Sequence, residues 1–355
     1  MKRFLVLIGV VICVVSMISC EKKSNDINSD NDGVLIGNIV YETIQDAIDA
    51  AVDGDTLLLT QGIYAGENNT NLMWEGDDKH LTIMTDLRGH QLDYAIIEGN
   101  GRGTGFYFGN SHQSQADVIY GITIRNMGSE VEHYNAAFYC YNAEPLIQHC
   151  YVYNCKWAGV YCDKADPHFE NSYFFDNKVA FVIDYESNPV LLNNYIESSD
   201  LDGVYAIGGS YPAIYNNLII NNDRGGVYLL QAKALMVNNT IVNNDQWGVK
   251  IRSDELSQMI NCIVWNNVSE FDVLEAGVIT ASYTCAPTEN PDVNPDSLNN
   301  IYSDPQFVSE IDYQLQTTSP CLDIGNTDAV GWQEDLQGNP RVVNNTVDLG
   351  AYERQ

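Results

Sequence analysis

The sequence predicts an all-β protein, a parallel β-helix with three short strands per turn, rungs of about 22 residues, a short N-terminal capping helix and a C-terminal capping region. Three observations carry this. His149, Asn171, Asn193, Asn216, Asn238 and Asn261 fall 22, 22, 23, 22 and 23 residues apart, which is a solenoid period. A second column of small residues, Ala137, Gly159, Ala180, Gly203, Gly226 and Gly248, runs in step with it, and Gly105 opens the same motif one longer rung earlier. After each small residue the chain alternates with the period of two of a strand. Phe106, Phe138, Val160, Phe181, Val204, Val227 and Val249 form one inward column, and Phe108, Cys140, Cys162, Ile183, Ala206, Leu229 and Ile251 form another.

Composition narrows the function. Seventeen Lys and Arg against 48 Asp and Glu in 355 residues give a formal charge of −31. Such a surface lacks the phosphate-neutralising cations that bind duplex nucleic acid, so no nucleic-acid partner is expected. A hydrophobic content of 45% supplies a core and excludes global disorder. Nine cysteines are too dilute for a disulfide scaffold, and the odd number leaves at least one otherwise used.

The elements follow in order. Lys2 and Arg3, an apolar run from Phe4 to Met17, and Ile18-Ser19 before Cys20 resemble a bacterial lipoprotein signal, with Met17 where leucine is usual. The resemblance implies that residues 1–19 are removed and that Cys20 becomes the lipidated first residue. The membrane would then be met through that lipid alone, in the bacterial cell envelope, on the periplasmic or the surface face of the outer membrane. The alternative is an ordinary secretion signal with a chance cysteine. Losing Lys2 and Arg3 would leave 15 basic residues against 48 acidic ones, a charge of −33. Residues 20–37 read as a flexible tether and 38–100 as an N-terminal cap with the first rungs. In that cap, Thr43 or Glu42 opens a short amphipathic helix through Ile44, Ala47, Ile48 and Ala51, ahead of a strand from Thr56 to Leu59. Regular repeats fill 101–270. Within each, a strand through Ile147, Phe169, Leu191, Ile214, Met236 and Met259 precedes the Asn turn, and one through Val152, Phe174, Ile196, Ile219, Ile241 and Val264 follows it. Asn tolerates the left-handed backbone of a tight turn and can form amide ladders between rungs.

The series Thr43-Ile44-Gln45-Asp46-Ala47-Ile48, Gly54-Asp55-Thr56-Leu57 and Gly62-Ile63-Tyr64 resembles the N-terminal segment of right-handed parallel β-helix proteins of the pectate-lyase-like superfamily, relatives of alginate lyase and chondroitinase B among them. That resemblance implies the right hand. In residues 271–355, the segments Asp304-Pro305-Gln306-Phe307-Val308, Ser319-Pro320-Cys321-Leu322-Asp323-Ile324-Gly325, Asp335-Leu336-Gln337-Gly338-Asn339-Pro340-Arg341 and Val347-Asp348-Leu349-Gly350-Ala351-Tyr352-Glu353 are similar to the choice-of-anchor Q domain. That domain often carries a C-terminal sorting tail. Here the sequence ends two residues after Glu353, and an N-terminal lipid would supply the anchor.

The superfamily hosts lyases, hydrolases, esterases, adhesins and inert scaffolds, so sites must decide. Pectin-hydrolysing relatives use a paired Asp-Asp, a Gly-His-Gly and an Arg-Ile-Lys. Here Asp77-Asp78 precedes the repeats, Gly-His-Gly is absent, and Lys250-Ile251-Arg252 reverses the last motif. Three groups remain. An outward column of Tyr107, Tyr139, Tyr161, Tyr205 and Tyr228, with Tyr141 alongside, forms an aromatic strip suited to stacking on sugar rings, or serves only to stack rungs. Tyr151, Tyr173 and Tyr195 make a shorter strip. Asp163 and Asp184 share an outward column on adjacent rungs, where they raise one pKa, bind Ca²⁺ or merely repel in water; the fold dictates a spacing that also suits a retaining glycosidase pair. Tyr228, Lys250 and Arg252 project from one face as an anion-binding candidate. Cys140 and Cys162 read as core residues, Cys285 and Cys321 can pair in an oxidising compartment, and the scattered histidines suggest no zinc. The functional expectation is polysaccharide binding or surface display, with neutral or Ca²⁺-bridged glycans favoured over bare polyanions. A polysaccharide lyase or glycoside hydrolase with a divergent site is one alternative, and a purely structural surface protein another.

Overall fold

A computed structural model describes residues 33–74, 79–87, 94–109, 115–129, 135–273, 278–288 and 299–355. Cys20 and Asp77-Asp78 lie outside these. The described chain is a parallel β-solenoid whose three sheets contain 12, 9 and 8 strands. Sheet I holds the strand that precedes each Asn turn, such as Leu146–Gln148; sheet II the strand that follows it, such as Tyr151–Tyr153; sheet III the six-residue strands such as Ala136–Tyr141.

Register is fixed residue for residue. Phe138 pairs with Phe106 and Val160, and Cys140 with Phe108 and Cys162. Like side chains therefore stack inward, and both predicted inward columns are fully buried. Cys140 and Cys162 are core residues, as the alternation requires, and burial holds their thiols far above the usual range. Aromatic contacts knit the rungs, with Phe169 and Phe181 edge to face at 5.3 Å.

Two columns of left-handed residues bend each rung. The predicted one, from His149 to Asn261, has φ between 51° and 57°. A second, between sheets II and III, runs through Asn154, Asp176, Ser198, Asn221, Asn243 and Asn266 at φ of 52° to 59°. After each of these residues comes a small buried side chain, Cys at 150, 155 and 262 and Asn or Ser elsewhere, and the asparagines make the ladders. Asn194 Nδ2 donates to Asn217 Oδ1 and Asn217 Nδ2 to Asn239 Oδ1, both at 3.1 Å. On the second turn, Asn222 donates to Asn244 and Asn244 to Asn267, both at 2.9 Å. At the predicted turn positions themselves Asn261 donates to Asn238 at 3.2 Å.

The N-terminal cap contains helix α1 (Ile44–Ala50), whose N-cap Thr43 accepts from the Asp46 N–H and whose Ile44, Ala47 and Ile48 are buried. The tether expected over 20–37 is shorter than its C-terminal bound. Val34–Ile36 is a strand, antiparallel to both Ile39–Tyr41 and Thr56–Leu59, with Val34 fully buried. Apolar residues at 34 to 36 let this hairpin close one edge of sheet I, which would otherwise present unpaired backbone.

The C-terminal region does more than cap. Bridges from Ile263 to Cys285 and from Cys285 to Ile301 carry the sheet II ladder two positions further. Residues 305–355 then run back along the outer face of sheet II. There Leu218, Ile220 and Val242 form one apolar cluster with Tyr313, Leu336, Ala351 and Tyr352. Asn238 Nδ2 donates to the Asp348 and Gly350 carbonyls, Ala351 N–H to Thr240, and Trp332 stacks on Tyr215 at 5.1 Å. This strap covers the end of the shorter tyrosine strip, where Tyr195 packs against the cluster. At its centre Arg341 is fully buried, with Nη2 donating to the Asp348 and Gly350 carbonyls and Glu353 at 3.8 Å.

Candidate functional site

With the strap on sheet II, the outer face of sheet III carries the sequence-predicted candidates. Its strands bring Tyr107, Tyr139, Tyr161, Val182, Tyr205, Tyr228, Lys250 and Asp272 into one register column. Rings 107–139 and 139–161 stack at 5.2 Å, and 205–228 at 5.1 Å, with Val182 dividing the two groups. The five tyrosines are thus aligned as expected, but they are not equally exposed. Tyr161 is only 4% exposed, because Ala136, Ala158, Val179 and Val182, with Trp157 and Leu201 from just ahead of the strands, pack around it. Tyr107, Tyr139, Tyr205 and Tyr228 are half-buried, and Tyr141 is exposed.

Asp163 and Asp184 are in register on adjacent strands. They are not equivalent. Asp184 is buried, takes the Tyr185 N–H at 2.7 Å and the Tyr161 hydroxyl at 3.4 Å. Asp163 is more open; burial and then Asp184 push its carboxyl up against the pull of Lys164. Among the described residues no group of three or more His, Cys, Asp or Glu converges to hold a metal ion. A Ca²⁺ ion here would rest on two protein carboxylates.

The cations are embedded in a larger cluster than the sequence suggested. Lys250 Nζ meets Asp272 at 2.9 Å and Arg252 meets the same carboxylate at 2.9 Å. Burial tends to raise the Asp272 pKa, yet its bonds to Lys250 and Arg252 hold it below the usual range. Neither cation is therefore an isolated surface charge. Lys250 also lies 3.7 Å from the Trp247 ring centroid, a cation–π contact made possible by Gly225, since any side chain there would collide with the indole. One rung back, Arg224 pairs with buried Asp202 and sits 5.9 Å from both the Tyr228 and Trp247 rings. Burial raises Asp202 while Arg224 opposes it. Three cations thus face two carboxylates on an aromatic floor.

Asp202, Arg224, Trp247 and Asp272 were not singled out in the sequence. Asp202 and Trp247 occupy a strand position filled elsewhere by Ala136, Ala158 and Val179, so no column signalled them, although Trp247 falls in the strand that carries Lys250 and Arg252.

A groove of about 540 Å³ adjoins the strip, lined by Asn154, Cys155, Lys156, Asp176, Lys178 and Asp200. Lys178 connects the two, its ammonium 5.3 Å from the Trp157 ring centroid. Burial and the neighbouring Asp176 push Glu197 up to about 7.

Residues 136–290 match the family described as the right handed beta helix region. The solenoid is accordingly a right-handed parallel β-helix. Among solved structures, pectate lyase Pel9A is similar at 12% identity and TM-score 0.65, over 88% of this chain and 91% of that one. The A-module of the mannuronan C-5 epimerase AlgE4 from Azotobacter vinelandii is similar at 18% identity and TM-score 0.54, over 76% of this chain and 75% of that one. No curated protein matches the sequence. At such identities the likeness is one of fold.

Proposed function

We propose that the protein is a lipid-anchored, extracytoplasmic polysaccharide-binding protein that lays a glycan along the outer face of sheet III. The observation that carries this reading is the half-buried row Tyr205–Tyr228 running in register into the Trp247, Lys250 and Arg252 cluster. Flat rings with polar tips stack on sugar faces, and rungs ~4.8 Å apart repeat those rings along a line. The fold is shared with proteins named for pectate and mannuronan, which supports a carbohydrate partner in general. Three cations against two carboxylates make this the part of an otherwise acidic surface best suited to a carboxylate-bearing sugar. Asp163 and Asp184, further along the strip, suit Ca²⁺ bridging. A glycan array with and without Ca²⁺ tests the reading, and no bound glycan in either condition would sink it.

The second reading, a polysaccharide lyase or glycoside hydrolase, draws on Glu197 beside Asp176, a carboxyl held near neutrality as a general acid requires. New reducing ends or unsaturated-uronate absorbance from any array hit would establish it. The anchor is tested separately: Cys20→Ser moves the mature protein from the membrane to the soluble fraction if Cys20 is lipidated, and unchanged partitioning removes that part of the proposal.

A further inference from the structure

Seven cysteines lie among the described residues, all of them buried. Four donate their thiols to carbonyls: Cys150 to Gln148, Cys155 to Tyr153, Cys262 to Ile260 and Cys285 to Ser303. Cys140 and Cys162 are directly opposed on parallel strands. Such strands hold their Cβ atoms ~4.8 Å apart and pointing the same way, beyond the 3.5–4.5 Å that a disulfide spans. Cys285 and Cys321 form a different kind of pair. They come from different parts of the chain, 36 residues apart, and are brought together in one buried cluster. Both are fully buried in one apolar cluster with Ile263, Leu315 and Leu349.

Their backbones are already fixed by the fold. Cys285 extends the sheet II ladder beyond its last strand, bridged to Ile263 and Ile301. Cys321 lies in the strap, its N–H donating to Ser319 Oγ at 3.1 Å and its carbonyl accepting from the Leu349 N–H at 3.0 Å. The pair therefore stands where the solenoid's last rung meets the segment that folds back along its flank.

We infer that Cys285 and Cys321 form a disulfide when the protein folds in an oxidising compartment, and that this bond bolts the C-terminal strap to the final rung. The chemistry balances with a disulfide oxidant such as oxidised glutathione. One cysteine thiolate attacks the oxidant's S–S bond and expels one glutathione thiolate, leaving a mixed disulfide. The second cysteine, as thiolate, attacks that mixed disulfide and expels the other glutathione. Two protein thiols give up two electrons and two protons in all, and one oxidised glutathione becomes two reduced ones. Because both sulfurs are buried, exchange requires the strap to be undocked, so the bond forms during folding rather than by oxidation of the docked protein. Closing a loop of this length in the unfolded chain raises the melting temperature by about 5 °C.

The test is to refold the full chain in a reduced and oxidised glutathione buffer, alkylate all thiols under denaturing conditions, and map disulfides by peptide mass. The expected result is a peptide pair joined through Cys285 and Cys321, cleaved by reductant, with Cys140, Cys150, Cys155, Cys162 and Cys262 alkylated. Wild-type mapping needs no variant to fold. In parallel, wild type melts several degrees lower with reductant, and Cys321→Ala shows no such dependence. Recovery of Cys285 and Cys321 as alkylated thiols, or their capture in other pairs, overturns the inference.

Discussion

Tyr161 shows how one side chain can share a column with four others and still play a different part. Its alternation and period were plain in the sequence; its burial was not, because Trp157 and Leu201 lie just outside the strand pattern and only the packed structure brings them over the ring. Tyr161→Ala should therefore cost about 2–3 kcal/mol in chemical denaturation, through lost burial and stacking. The half-buried Tyr205 replaced by Ala should cost under about 1 kcal/mol. Equal costs for the two would show that the outer cluster does not exist. Glu353 gives a second residue-scale expectation. It is 5% exposed beside Arg341, and burial, with Asp348 and Asp323 nearby, outweighs the attraction of Arg341 and pushes its carboxyl up to about 8. A carboxyl raised on folding binds more protons in the native state, so its contribution to stability is fully present below its ordinary value near 4.5 and is lost as pH rises through about 8. Between pH 5 and 8.5 wild type should lose more stability than Glu353→Gln. Parallel pH profiles for the two would refute this assignment.

At the scale of elements, the rungs were legible wherever a side-chain pattern repeats every 22 or 23 residues. Both inward columns, the Asn turn and helix α1 with its Thr43 cap followed from period and capping chemistry. The second ladder, through Asn222, Asn244 and Asn267, repeats with the same period and was equally readable. Ser198 and Ser199 interrupt its asparagines, which weakens the pattern. The buried ladder makes a measurable demand. Asn217 Oδ1 accepts from the Asn194 backbone at 2.9 Å, and Asn217 Nδ2 donates to the Leu191 carbonyl at 2.9 Å. Asn217→Ala leaves such buried groups without partners and should destabilise by about 2–4 kcal/mol. A loss below ~0.5 kcal/mol would mean that the ladder only fills space.

For the whole molecule, the solenoid distributes its three faces unequally. Sheet II is covered by the strap, while sheet III keeps its aromatic and charged side chains on an outer face. The strap's route could not be read from the sequence, since its contacts join positions more than a hundred residues apart, as Asn238 with Asp348 and Gly350. The same separation hid the site's full membership. Lys250 and Arg252 stood out by their spacing, but Asp272, which holds both, lies a rung later in a strand where Glu270 takes the place of the small residue.

Binding of an array-identified glycan, measured by titration calorimetry on wild type and on the Tyr205→Ala, Tyr228→Ala double variant, tests the central claim most directly. Sugar stacking on these rings is ligand-dependent. The double variant should therefore lose at least about tenfold in affinity, equivalent to ~1.4 kcal/mol, while its melting temperature stays within a few degrees of wild type. Unchanged affinity alongside a lowered melting temperature would contradict the account and leave the strip as scaffold.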